Sequence, residues 1–509
     1  MIKMQRWEKE KMEDNIEKVL RIKIEDTAVF EQIMAEFLHI ESFESTAVNQ
    51  KIIKDTYYDN ANKDLFLAGF EYSIRKEENG SLAILNQRNL KKQINFIQEK
   101  KEWRVRIEKS APNNAFLKED AIKKVLEKVA GGNELAIIFQ SSFTRKKINL
   151  LKDNETWIEI DGDQGEIWID DLKKPIFQLQ FKLKNGNIID LLKLAAVIIK
   201  KYSLKIDRKS KYERGLELLG IDLEEGHPKA QLKIKQKDCT SDVAQRILEF
   251  CINEISNAYT YFSTHLEDPE STHQIRVKIR KSRAILAFFK PLFEDEKYGE
   301  EQEKLRKTGL EFSELRQLDV ILEEIEKIEN TSIIPVDELA FLKNRLIGKR
   351  KEALITLSAY LQHNYLTLTV LDFWIWLLDE PWSDSAWLDL SIEKYIDEEL
   401  KRWLKKVNKG MKKMDVKNKE NIHKVRIRSK KLRYIMELLS PILAKKSKEL
   451  IAEFENIQDD LGYFHDVYMN KELLEQLLAE SAEKQLHYEA GIMIGWLTLQ
   501  GNIKMEKYR

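Results

Sequence analysis

"THQIRVKIRKSR", Thr272–Arg283, and "IHKVRIRSKKLR", Ile422–Arg433, lie 150 residues apart and share one pattern. A histidine heads each run, with cations at i+3, i+7 and i+10. These are His273, Arg276, Arg280 and Arg283 in the first copy, and His423, Arg426, Lys430 and Arg433 in the second. At about 100° per residue the four positions share an arc of roughly 80° on a helix. Ile275, Ile279 and Leu286 fall on the neighbouring face, as do Val425, Leu432 and Met436 in the second copy. Each stretch predicts a helix with an apolar stripe for the core and a cationic stripe beside it.

A charged helix face is ordinarily a solvated one. Here the spacing recurs, arginine is used where lysine would serve solubility, and few acids within either stretch can pair at i±4. Like charges so crowded repel. A bound anion relieves that repulsion, and the arginine fork fits phosphate oxygens. A second element follows each stripe: "ELRQLDV", Glu314–Val320, and "QDDLGYFHDV", Gln458–Val467, with Arg316 and His465 in equivalent places. The spacing predicts a duplicated helical unit whose cationic faces meet on one surface if the halves pack face to face. Metal binding by the histidines is disfavoured, because the flanking arginines repel a cation and no HExxH or Cys/His cluster occurs.

Lys+Arg and Asp+Glu each total 86 of 509 residues. Net charge is therefore zero, and anion binding must come from a local patch. The chain is 43% hydrophobic and 34% charged, which fits a globular protein with charged surfaces. Two cysteines, Cys239 and Cys251, make no disulfide framework and match no zinc spacing, which fits a reducing cytoplasm. The opening "MIKMQRWEKEKMEDN" lacks the apolar core of a secretory signal. "YLTLTVLDFWIWLL", Tyr365–Leu378, is broken by Asp372 and short for a bilayer, so it predicts a buried helix and no membrane insertion.

The first part of the chain alternates with period two in "KVLRIKIED", "KIIKDTYYDN", "FEYSIRKEE", "KKEWRVRIEK", "TWIEIDGDQGEIWID" and "IFQLQFKLKNGN". Helical periodicity interrupts at "DTAVFEQIMAEFL", "DAIKKVLEKVAG" and "LLKLAAVIIKKYSL". This predicts an α+β domain of antiparallel strands over residues 1–222. "LEEGHPKAQ" marks a linker over 223–234, and residues 235–509 form an all-α domain.

"HQIRVKIRKSR" and "HKVRIRSKKLRY", with "LRQLD" and "IQDDLGYFHD", resemble the CHAD domain, the conserved-histidine α-helical domain. The resemblance implies two pseudo-twofold-related four-helix bundles and a basic groove for inorganic polyphosphate. The groove would use His273, Arg276, Arg280, Arg283, Arg316, His423, Arg426, Lys430, Arg433 and His465. Gln317 stands where that family often has Asp.

"TYYDNANKDLFLAGFEYSIRKEENG", "SSFTRKKINL", "WIEIDGDQGEI" and "SKYERG" resemble the CYTH domain. That implies that residues 1–222 form an α+β antiparallel β-barrel, an eight-stranded triphosphate tunnel, in a family that includes triphosphatases and class IV adenylate cyclases. Such a tunnel holds triphosphate with cations and Mg or Mn with the glutamates of an E-x-E-x-K strand. Alternation sets those positions on one face. In this chain Val19 and Arg21 stand where the glutamates should be, with Lys23 matching the lysine. Gln178, Gln180 and Lys182 replace carboxylates on a later strand, and Ser73 replaces an arginine. Glu102, Glu159 and Asp161 remain as metal candidates. Lys23, Arg75, Arg145, Lys184, Lys211 and Arg214 remain as tunnel cations.

The expectation is a protein that binds inorganic polyphosphate through its helical domain, needs no cofactor to do so, and carries a catalytically impaired triphosphate tunnel. The alternative is an active Mg- or Mn-dependent inorganic triphosphatase targeted to polyphosphate by that domain, with tripolyphosphate or a nucleoside triphosphate in the tunnel. Nucleic acid is disfavoured because aromatic stacking positions are not interleaved with the stripes. The expected location is cytoplasmic, with association to polyphosphate granules.

Overall fold

The computed structural model describes residues 16–505 apart from residues 78–79, 89–95, 108–119, 132, 154, 222, 224–231, 332–334, 336, 413–418 and 444. The chain divides into two compact units, Met1–Gln231 and Leu232–Arg509. Most of the expected linker, and the N-terminal segment read for a signal, lie outside the described residues.

The first unit runs β1 (Ile16–Lys23), α1 (Thr27–Glu36), β2 (Glu44–Ser45), β3 (Asn49–Asp59), α2 (Asp64–Leu67), β4 (Phe70–Glu77), β5 (Gly80–Arg88), β6 (Ile97–Ile107), α3 (Asp120–Ala130), β7 (Ala136–Lys152), β8 (Thr156–Ile169), β9 (Leu172–Asn185), α4 (Ile188–Tyr202), β10 (Lys205–Ile206) and α5 (Lys211–Leu218). Eight of the strands close an antiparallel barrel in the order β1-β6-β5-β4-β3-β7-β8-β9, and β9 pairs back onto β1. Closure removes the sheet edges.

Alternation explains what fills this barrel. On β9, Phe177 and Phe181 meet the rings of Phe30 and Phe37 at 5.2 and 5.7 Å, so those positions face outward under α1 and its C-terminal end. The intervening Gln178, Gln180 and Lys182 then point inward and are buried there. The same holds on β8, where Glu159, Asp161 and Asp163 alternate with Ile158 and Ile160 and all five are buried. The barrel is thus apolar outside, beneath its helices, and charged inside.

"SKYERG" starts α5. Ser210 and Glu213 form a reciprocal capping box, with Glu213 N donating to Ser210 Oγ at 3.1 Å and Ser210 N donating to Glu213 Oε2 at 2.7 Å. Gly215 lets the helix approach the barrel closely, since a Cβ there would come within 2.3 Å of the Phe139 ring. That approach brings Lys211 to the barrel interior.

The second unit is helical: α6 (Thr240–Thr264), α7 (Pro269–Phe288), α8 (Asp295–Glu311), α9 (Ser313–Glu329), α10 (Ala340–Gln362), α11 (Tyr365–Leu378), α12 (Ile392–Lys412), α13 (Lys419–Leu439), α14 (Lys445–Ala479) and α15 (Lys484–Met505). The duplication seen in sequence recurs in the elements. An offset of 150 residues carries Pro269 onto Lys419, Asp295 onto Lys445 and Glu329 onto Ala479, the bounds of α7, α8–α9 and their counterparts. The long α14 is one helix where the first copy breaks at Phe312, a fully buried ring set edge-on to Phe262 at 5.4 Å.

Within this unit α7 packs on α6, α8, α9 and α13, while α13 packs on α12 and α14, and α9 on α14. The apolar stripes named from the sequence form the core: Ile275, Ile279 and Leu286, and Val425, Leu432 and Met436, are at most 2% exposed. Tyr365–Leu378 is helix α11 and is buried along one side, with Leu366, Val370, Phe373, Trp374 and Leu377 all inside. No helix among the described residues is long and apolar enough to cross a membrane.

Candidate functional site

Because α7 and α13 pack directly together, their cationic stripes share one neighbourhood. The Arg280 charge bears on both Arg426 and Lys430 across the helix pair. The α9 residue Arg316 bears on His273 and Arg276. His465, from α14, sets its Nδ1 3.4 Å from Nδ1 of His423. Arg316, Lys430 and Arg433 line one cleft of about 290 Å³, together with Glu323, Asp466 and Asn470.

These cations are poorly compensated. Among the described residues, buried nitrogens without a hydrogen-bond partner occur at Arg276 (Nε and Nη1) and at Nε of Arg280, Arg283 and Arg426. Such unpaired buried donors are costly and rare. Burial, with the charges of Arg280 and Arg316, pushes the Arg276 guanidinium down to about 10. Burial and the charges of Arg426 and Arg280 push the Lys430 ammonium down to about 7. Burial and Arg316 likewise lower the His273 imidazole.

The two copies differ in their acids. In the second, Asp466 approaches Arg426, Oδ1 to Nη2, at 3.7 Å. By the 150-residue offset Asp466 stands opposite Arg316, so the first copy has a cation where the second has an acid, and the next residue, Gln317, donates from Nε2 to the Met469 carbonyl at 3.0 Å and ties α9 to α14. Arg276 is accordingly left with cations as its charged neighbours. The acids that do enter the groove were not legible within the stripes. Glu323 meets Arg316 at 2.7 Å from the next turns of α9, Asp466 arrives from α14, and Glu437 lies 3.3 Å from Arg433.

The barrel interior is the opposite case. Arg75 is held bidentate by Asp55 at 2.8 and 2.9 Å. Arg145 is bidentate to Asp163 at 2.7 Å and also meets Asp161 at 2.8 Å. Lys184 pairs with Glu17 at 2.6 Å, Lys211 with Asp163 at 2.5 Å, and Arg214 with Asp207. Lys23 sits at the exposed end of β1, paired with exposed Glu25 at 2.6 Å, and does not line the buried interior. The first acid of that strand is Glu17, two residues before Val19 and missed in sequence. It is 11% exposed, and cationic neighbours Lys182, Lys100 and Lys184 hold it well below the usual carboxylate range against its burial. Neither Glu25 nor Asp26 replaces it: Asp26 caps α1, accepting from Ala28 N and Val29 N.

The carboxylates proposed for a metal are engaged with side-chain cations. Glu102 takes Lys100 at 3.2 Å and Arg104 at 2.5 Å. Glu159 takes Lys147 at 2.7 Å and Lys182 at 3.2 Å, and Asp161 takes Lys182 at 2.6 Å. Against the cost of burial, these charges lower Glu102 to about 2 and hold Glu159 and Asp161 below their ordinary values. No group of three or more His, Cys, Asp or Glu poised for a metal occurs among the described residues. The residues present do not fit a Mg or Mn site.

A closed barrel with a charged interior, joined to a duplicated helical unit with a cationic groove, defines a two-part protein. Residues 247–475 match the CHAD domain family, and the barrel that precedes them is similar to the CYTH type. An inorganic triphosphatase of Haemophilus influenzae is 29% identical over 167 residues, which is 33% of this chain and 45% of that protein, so the match spans less than half of the relative's length. The CHAD domain of the plant Ricinus communis aligns at 20% identity and a TM-score of 0.46, covering 55% of this chain and 93% of that one. A Hippeastrum protein described by a dominant triphosphatase activity aligns at 12% identity and a TM-score of 0.30, covering 42% of this chain and 100% of that one.

Proposed function

We propose that the protein binds inorganic polyphosphate in the groove between α7 and α13, and that its barrel is catalytically impaired. One observation carries the reading: among the described residues, Arg276, Arg280, Arg283 and Arg426 on two packed helices hold buried N–H groups with no hydrogen-bond partner. A polyphosphate chain brings closely spaced anionic oxygens, the acceptors such a groove lacks. His273, Arg276, Arg280 and Arg283 would grip it from one side and Arg426, Lys430 and Arg433 from the other, with Arg316, His423 and His465 at the flanks. No cofactor is required.

The test is retention of long-chain polyphosphate by the full chain. Arg276→Glu with Arg426→Glu should abolish it, and wild-type affinity should fall steeply with salt as counterion release dictates. Unchanged retention in the double variant would sink the reading. Duplex DNA competing as well as polyphosphate at matched charge would point to a general polyanion site.

The match to an inorganic triphosphatase supports a second reading, an active metal-dependent hydrolase in the barrel. Release of phosphate from tripolyphosphate with Mg²⁺ or Mn²⁺ would favour it. The engagement of Glu102, Glu159 and Asp161 by side-chain cations weighs against it.

A further inference from the structure

The acids left inside the barrel converge on a lysine. Lys182 is 4% exposed, and its Nζ stands 2.6 Å from Asp161 Oδ2 and 3.2 Å from Glu159 Oε1. Glu17 acts on the same ammonium from β1, and the three carboxylates together raise it above its ordinary value despite its burial. Its register partners are Glu159 on β8 and Val19 on β1, and Val19 brings no polar side-chain atom. Several carboxylates around one small cation are what a hard divalent ion asks of a protein. An ammonium on a flexible stem offers the same acids a compact point charge with three donors.

We propose that the Lys182 ammonium fills the place of a divalent cation. The barrel then holds no resident metal, and a carboxylate at position 182 converts the same pocket into a metal site. This goes beyond an impaired barrel, because it names the residue that keeps metal out and the change that admits it. A metal ion entering the native barrel must displace Lys182 from Asp161 and Glu159. It must also approach Arg145, which shares Asp161 Oδ2 with Lys182, Lys147, which holds the other oxygen of Glu159, and Lys184, which holds Glu17. Replacing Lys182 by Glu removes the tethered cation and adds a fourth carboxylate to Glu17, Glu159 and Asp161.

The experiment is Mn²⁺ uptake by the full chain, read from loss of the free-ion electron spin resonance signal. Wild type and Asp161→Asn should take up equal, low amounts. Lys182→Glu should bind Mn²⁺ at least tenfold more tightly, and adding Asp161→Asn should remove the gain. Lys182→Met keeps the test open if the glutamate variant does not fold. Its melting temperature should fall and be restored by Mn²⁺ but not by K⁺. Uptake by wild type that Asp161→Asn abolishes would overturn the proposal. So would a folded Lys182→Glu with no gain, or a Lys182→Met that Mn²⁺ leaves unchanged. Metal uptake and polyphosphate retention are separate readouts, so either reading can fail alone.

Discussion

Both units gather cations, but among the described residues the barrel pairs its cations with acids more fully than the groove does. In the barrel, Arg75, Arg145 and Lys182 are raised above their ordinary values because carboxylates outweigh the cost of burial. In the groove, Arg276, Arg283, Arg426 and Lys430 are lowered, because burial and like charge act together. The first arrangement is a salt-bridge network, although burial and Arg145 push the Lys211 ammonium down to about 8 even beside Asp163. The second carries poorly compensated charge that a bound anion would relieve, the arrangement expected of a binding surface rather than of a core. Sequence motifs alone ranked both regions as phosphate sites. What separates them is where the acids are.

The comparison breaks most sharply if removing a cation has the same effect in both places. In the barrel, Lys182→Met leaves Asp161, Glu159 and Glu17 buried beside one another. Stripping one partner from a buried ion pair costs about 3–5 kcal/mol, read as an earlier urea midpoint for the barrel's transition. Acid sensitivity follows with a definite sign. Asp161, Asp163, Glu159 and Glu17 are depressed in the fold. Their contribution is present above the unfolded value of about 4 and is lost as pH falls through the folded values. Lys182→Met should therefore move the acid transition to higher pH.

Arg276→Met should do the reverse. It removes two unpaired buried nitrogens and a repelled charge, so the helical unit should gain roughly 1 kcal/mol while losing polyphosphate affinity. A destabilised Arg276→Met would show that the groove cations are paired in solution and that the contrast with the barrel is false.

The sequence made the fold and the groove readable for one reason: both are written in local periodicity. Offsets of three, four and seven residues place His273, Arg276, Arg280 and Arg283 on one face, and the second copy fixes the partner helix. The barrel strands announced themselves where one face is polar, as in β8 and β9. β5 and β7 did not stand out by alternation. β5 is apolar on both faces at Leu82–Leu85, and β7 carries three successive cations at Arg145–Lys147. Tertiary pairing was not readable. Glu17 lay two residues upstream of the acids sought, and nothing local says that Lys182 would sit between Glu159 and Asp161. Nor does the sequence around Arg426 disclose Asp466, which arrives from a different helix.

The smallest expected effect concerns how the groove responds to pH. Lys430 is faced by Arg426 and Arg433 on its own helix, Arg280 on α7 and Asp466 on α14. Its ammonium, pushed down to about 7, is half lost near neutrality in the free groove. In the unfolded chain the same group titrates near 10.4. Between about 7 and 10.4 the unfolded state therefore binds the proton and the folded state does not, so this residue adds to the stability of the free protein as pH rises through that window. Polyphosphate acts in the other direction, because an anion favours the charged form. Binding above pH 7 must then take up a proton, and affinity should fall as pH rises, by at most about tenfold per pH unit for one proton. Lys430→Arg keeps its charge throughout this range and should flatten the profile at constant ionic strength. Parallel profiles for wild type and Lys430→Arg would remove Lys430 from the contact and leave the arginines to hold the anion alone.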